Sequence, residues 1–113
     1  GESVVVGGHT GHGVFPELNT LHVADKQPQA VLLEGVPELH TIEVGTDAIS
    51  CGASVTIAAL TEALNTTAAE NPASANILTP IADHLLLIAG HQIRNAGSIG
   101  GNIMMCRDKG FGS

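Results

Sequence analysis

The sequence predicts an α+β fold, because short β-rich stretches come in a run with helices inserted rather than alternating with them. Three observations carry this. Val4-Val5-Val6 opens the chain as a β-branched stretch, Thr41–Val44 and Ala48–Cys51 flank a turn, and helical apolar spacing begins only at Thr56. A length of 113 residues allows one domain at most, burying about two-thirds of its unfolded surface if it closes its own core.

Taken in order, Val4 to Val6 read as a buried strand feeding Gly7-Gly8-His9-Thr10-Gly11-His12-Gly13, a loop. Phe15 to Gln29 has no sustained period, carries Pro16 and Pro28, and is expected to be irregular. Ala30-Val31-Leu32-Leu33 reads as a short strand and Val36-Pro37-Glu38-Leu39 as a turn. Thr41–Val44 and Ala48–Cys51 are expected to pair through a Gly45-Thr46-Asp47 hairpin turn. Thr56 can cap a first helix bearing Ile57, Leu60 and Leu64, followed by a polar loop from Asn65 to Ser74. A second helix is expected from Thr79 as cap and Pro80 at its first position, with Asp83 near its positive end and Gly90 ending it. His91 to Gly101 then reads as a loop, Asn102 to Met105 as a strand, and Arg107 to Ser113 as a loop. A strand this near the first residue and a trailing loop predict a piece of a longer protein.

Composition removes several function classes. Four Lys+Arg against eleven Asp+Glu give a net charge of −7, which argues against a nucleic-acid phosphate backbone as partner. The longest apolar run, Leu85 to Ala89, is far short of the roughly 20 residues a membrane span needs. Cys51 and Cys106 fit no CxxC motif and read as free thiols in a half-buried sheet, so a reduced, cytoplasmic setting is expected. His9 and His12 sit three apart without a third ligand, so no metal site is expected. His22, His40, His84 and His91 are scattered and read as structural, and Asp83 and Glu62 as solvated helix faces. No Ser-His-Asp order or paired-carboxylate motif assigns a catalytic residue.

Two glycine-rich segments remain. Glycines in residues 7–13 allow the backbone to turn its N–H groups inward, a nest that holds phosphate without Lys or Arg. The spacing is not G-x-G-x-x-G, and no helix follows. In Gly97-Ser98-Ile99-Gly100-Gly101-Asn102, Ser98 and Asn102 add side-chain donors for phosphate oxygens or a ribose hydroxyl. Together the segments suggest one extended ligand with two phosphates. Arg94, just before the second segment, either offsets phosphate charge or pairs with a carboxylate or helix-end carbonyls.

Gln92-Ile93-Arg94-Asn95-Ala96-Gly97-Ser98-Ile99-Gly100-Gly101-Asn102 closely resembles the I-R-N-x-x-[ST]-[IV]-G-G-N signature of the flavin domains of molybdenum hydroxylases. This is the family of xanthine dehydrogenase, aldehyde oxidase and the medium subunit of carbon-monoxide dehydrogenase, and the xanthine dehydrogenase and aldehyde oxidase branch fits best. Val6 to Gly13 resembles the family's V-V-G-N-T-x-x-G segment, Val36 to Leu39 its I-P-E-L turn, and Ile49 to Thr56 its I-x-I-G-A-x-V-T step. The resemblance spans nearly the whole chain in the family's order. It implies a partial FAD-binding (PCMH-type) fold, with residues 1–35 ending a first subdomain and 36–113 forming part of a second.

It implies further that Gly8, His9, Thr10, Gly11 and His12 wrap the FAD pyrophosphate. Gly97, Ser98, Gly101 and Asn102 would hold the other side of the diphosphate and the ribitol. His9 stands where the family usually has Asn, and Ile88 where some members set a Phe against the isoalloxazine. The implied function is an oxidoreductase's electron-transfer module: FAD accepts electrons from the molybdenum centre through two [2Fe–2S] clusters and passes them to NAD⁺ or O₂. Molybdopterin, the iron–sulfur clusters and their domains belong to the parent protein, commonly a homodimer, and the chain alone is expected to be inactive. The alternatives are a vanillyl-alcohol-oxidase-like flavin domain and a truncated, non-catalytic fragment without cofactor.

Overall fold

The computed structural model describes residues 3–8, 10–13 and 29–110. Strand β1 (Ser3–Val6) pairs in parallel with β2 (Gln29–Leu32), Ser3 opposite Gln29 and Val6 opposite Leu32. Only Val6 of β1 is known to be buried; Val5 is 64 % exposed and β2 is exposed throughout. The fully buried opening strand expected from sequence is therefore a half-open ribbon. The expected irregular stretch from Phe15 lies almost wholly outside the described residues, and its last residue, Gln29, begins β2.

Two 3₁₀ turns, Leu33–Gly35 and Pro37–His40, follow β2. They lead into the expected hairpin: β3 (Ile42–Val44) antiparallel to β4 (Ile49–Cys51), closed by Gly45 N–H donating to the Ala48 carbonyl at 2.8 Å. Gly52 lies so close to the Leu39 carbonyl that a Cβ there would collide with it. Main-chain bonds from Gly52 N to Thr41 O and from Ser54 N to Leu39 O tie the hairpin's exit to the turn.

Helix α1 (Ile57–Glu70) starts as expected, Thr56 accepting from Ala59 N–H at 3.1 Å. Its buried stripe is Ile57, Thr61, Leu64 and Ala68, with the Thr61 hydroxyl bonded to Ile57 O at 2.8 Å. Beyond it the helical half departs from the expectation. No loop spans 65–74: α1 runs through Glu70 and α2 (Pro72–Leu85) begins almost at once. Thr and Ala in 66–69 cost a helix little, and Thr67 satisfies its hydroxyl on Ala63 O. The break falls at Asn71, because proline excludes the preceding residue from helical geometry while suiting position N1 itself.

Pro80 is consequently internal to α2, not its start, and Asp83 lies near the C-terminal end. Fully buried Ala82 faces the core, where α2 packs extensively on α1, and that burial outweighs the bond Pro80 cannot donate. Gly90 does not end this helix. The chain turns through Ala89 at φ 46°, and Gly90 is the extended N-cap of α3 (His91–Ala96). The expected strand at Asn102–Met105 is also helix: α4 (Ile99–Lys109) begins at a Ser98 cap and ends on left-handed Gly110. Cys51 and Cys106 are free and exposed, one on β4 and one on α4, rather than sharing a sheet. Among the described residues, no helix is long and apolar enough to cross a membrane.

Candidate functional site

The two glycine-rich segments meet. β1 delivers the chain to Gly7 and Gly8, and Gly8 abuts the Ala96 carbonyl so closely that any Cβ would overlap it. A Cβ on Gly7 would stand 3.5 Å from Ser98 Oγ, and one on Gly97 would stand 3.5 Å from Thr10 Oγ1. Thr10 and Ser98 therefore share one region of the molecule.

A second junction fixes the far wall. Thr56 and Ser98 form an antiparallel bridge, flanked by Ile57 N to Gly97 O at 3.0 Å and Ile99 N to Val55 O at 2.9 Å. Gly100 N donates to Ala53 O at 2.8 Å, and a Cβ on Gly100 would lie 2.9 Å from Ala53 Cβ. The starts of α1 and α4 are thus stitched side by side, each capped by a hydroxyl: Thr56 for α1, and Ser98, accepting from Gly101 N at 3.0 Å, for α4. The positive ends of two helix dipoles converge here.

Between these walls lies a cleft of about 320 Å³, lined by Gly7, Gly8, Glu34, His40, Ser54, Thr56, Asn95, Ala96 and Ser98. Among the described residues no Lys or Arg lines it, and the one carboxylate, Glu34, is exposed to screening solvent. Ser54 is 8 % exposed, and its hydroxyl oxygen is buried without a hydrogen-bond partner among the described residues.

Of the residues expected to bind cofactor, Gly8 and Ser98 line this cleft. Thr10, Gly11 and His12 form the 3₁₀ turn Thr10–Gly13 beside it. His9 lies outside the described residues. Gly97 is buried at the junction, with its N–H bonded to Ile93 O at 2.7 Å. Gly101 and Asn102 sit in the first turn of α4 rather than on an open loop. The second segment's amides are largely engaged: Ile99 with Val55, Gly100 with Ala53, Gly101 with Ser98 Oγ. Its glycines serve close packing. Glu34 and Ser54 were not singled out by sequence reasoning, and His40 was read as structural. The strand-to-helix step at 49–56 has a place in the family pattern that includes Ser54, whereas the Val36–Leu39 turn of that pattern only borders on His40.

Arg94 does not reach this cleft. Its Nη1 lies 2.9–3.1 Å from the carbonyl oxygens of Leu86, Ile88 and Ala89, closing the end of α2. It lines a larger cleft of about 440 Å³ between α1 and α3 with Glu62, His91 and Asn95. Ile88 is 8 % exposed, a core residue rather than an open ring-stacking surface. The ion pair Arg107–Asp108, at 2.6 Å, is exposed near the end of α4, where the guanidinium holds the Asp108 carboxyl below its ordinary range.

Comparison with known proteins adds to the geometry. Residues 2–110 match a family described as the FAD binding domain in molybdopterin dehydrogenase. The chain is 36 % identical over 110 residues to aldehyde oxidase 4 of Arabidopsis thaliana, covering 96 % of this chain and 7 % of that protein. It is 33 % identical to an indole-3-acetaldehyde oxidase of Zea mays, again over 96 % of this chain and 7 % of the relative. Among solved structures it resembles a chain of carbon monoxide dehydrogenase from Hydrogenophaga pseudoflava. The TM-score is 0.56 at 26 % identity, covering 89 % of this chain and 31 % of that one. The chain thus spans less than a tenth of the length of these two plant relatives.

Proposed function

The chain belongs to the family of FAD-binding domains in molybdopterin dehydrogenases, and from that premise we propose that its cleft holds the diphosphate of FAD within a larger oxidoreductase. One observation carries the reading: segments about ninety residues apart, at Gly8 and Ala96, are in backbone contact at a single cleft. Two features fit the cofactor. The adjoining starts of α1 and α4 bring two positive helix ends to the cleft, which favours an anionic diphosphate. The buried Ser54 hydroxyl also has a hydrogen-bonding capacity that nothing among the described residues uses.

In this reading Gly8, His9, Thr10, Gly11 and His12 face one side of the diphosphate, and Gly97, Ser98, Gly101 and Asn102 shape the other. Ser98 keeps an O–H hydrogen to donate, because its cap bond uses only a lone pair. Residues 1–35 close one subdomain and 36–113 contribute to the next, so the cleft lies where they meet. FAD, when bound, supplies the hydride and single-electron chemistry, while the protein supplies binding, orientation and local electrostatics. No residue here acts as acid, base or nucleophile. In the intact enzyme, electrons would arrive from iron–sulfur and molybdenum domains and leave to NAD⁺ or O₂, in a cytoplasmic setting in keeping with the two exposed free thiols.

The test is flavin retention. The intact polypeptide, purified with excess FAD, should show flavin absorbance; a folded, colourless product rules out the proposal. Asn102→Asp should weaken retention, since it sets a carboxylate in the first turn of α4 beside the proposed diphosphate. Unchanged retention would take the second segment out of the binding site.

A further inference from the structure

We propose that Ser54 is an additional cofactor ligand, donating its hydroxyl to a phosphate oxygen from the α1 side of the cleft. The inference rests on the flavin reading above and concerns a residue outside both glycine segments.

Ser54 lines the cleft and is more than nine-tenths buried, yet its Oγ has no hydrogen-bond partner among the described residues. An orphaned buried hydroxyl costs about 1–3 kcal/mol, and folded proteins seldom keep one without a use. Its own backbone N–H is occupied by Leu39 O at 2.9 Å, which fixes the main chain. The oxygen is sealed from solvent as it stands. Serine has three staggered χ1 positions, and a step between them re-aims the hydroxyl without moving the backbone.

The surroundings define the chemistry of the partner. Thr56 and Ser98, on the same lining, already accept from Ala59 and Gly101 N–H, so each has an O–H hydrogen but reduced capacity to accept. Ser54 makes the third hydroxyl at a point where two helices, of 14 and 11 residues, present their positive ends. A cluster of O–H donors at two helix N-termini, with Glu34 the one carboxylate among the described lining residues and itself exposed, suits an acceptor-only, negatively charged oxygen. A phosphate oxygen fits this better than a ribose hydroxyl, which would also need acceptors.

The experiment titrates the intact cofactor-free polypeptide with FAD and, separately, with inorganic pyrophosphate, as wild type, Ser54→Ala and Ser54→Cys. Ser54→Ala should weaken both ligands about tenfold, the loss of one hydrogen bond to a charged acceptor, and Ser54→Cys should fall between. Without ligand, Ser54→Ala should melt at the same temperature or higher, because it deletes an orphan. Unchanged affinity for both ligands, a loss for FAD but not pyrophosphate, or a lower melting temperature in ligand-free Ser54→Ala would each overturn the proposal. Pyrophosphate binding that depends on Ser54, in a protein that does not bind FAD, would keep the phosphate subsite and remove the flavin reading. A wild type that binds neither ligand removes both.

Discussion

The two glycine-rich segments look alike in sequence and differ in what their glycines do. At 97–101 the backbone amides are engaged with the fold: Gly97 with Ile93, Ile99 with Val55, Gly100 with Ala53, Gly101 with the Ser98 cap. Glycine there lets α4 start flush against the β4–α1 connection. At 7–8, glycine lets one segment press on the other, with Gly8 against the Ala96 carbonyl. One segment builds the wall and the other closes against it. A glycine-rich motif thus reports close backbone approach, and only coordinates tell whether the approach is to a ligand or to the protein itself.

Four sets of substitutions test that contrast. The largest effect is expected from Gly8→Ala, whose Cβ must displace a backbone carbonyl. It should cost about 3 kcal/mol in denaturant unfolding and abolish flavin retention. Gly52→Ala meets the Leu39 backbone just as severely but away from the cleft. It should cost a similar amount, about 3 kcal/mol, and retain flavin wherever the protein remains folded. Equal flavin loss in both variants would mean that Gly8 matters only for stability. Next comes Gly100→Ala, whose Cβ would lie 2.8 Å from Ala53 O; thermal melts should show a loss of about 2 kcal/mol.

Smaller still are the caps. Ser98→Ala and Thr56→Ala each delete one helix cap and should each cost about 1 kcal/mol. Flavin titration separates them from a purely structural role, since Ser98→Ala should also weaken binding more than its stability loss explains. Least of all, Gly35→Ala has nothing within 4 Å of its Cβ and should shift the melt by no more than about 0.5 kcal/mol. A large effect there would show that space around glycine is a poor guide in this chain.

Sequence alone made the β half and the first helix start legible, because their signals are local. The Gly45–Ala48 turn, the Pro37 turn and the Thr56 cap each announce themselves within a few residues. The helical half was misread where local signals conflict with packing. Pro80 reads as a helix start, but Ala82 is fully buried within a helix that began at Pro72. Three glycines in 97–101 read as a loop, yet Ser98 caps a helix that contains two of them, Gly100 and Gly101. The meeting of the glycine segments could be expected from the family pattern. Ser54 could not, because an unpaired hydroxyl leaves no mark in a string of residues.

The bridge between Thr56 and Ser98 has a consequence for how the fold can vary. It brings together the two ends of everything from α1 through α3, so that stretch leaves and rejoins the framework at one point. Such a stretch behaves as a cassette. Its distal corner at Asn71 and Pro72 can lengthen, shorten or accept an inserted tag while the anchored end stays in place. New chain termini opened at that corner, with the original ends joined by a linker, would leave the stitched pair of helix starts where it is.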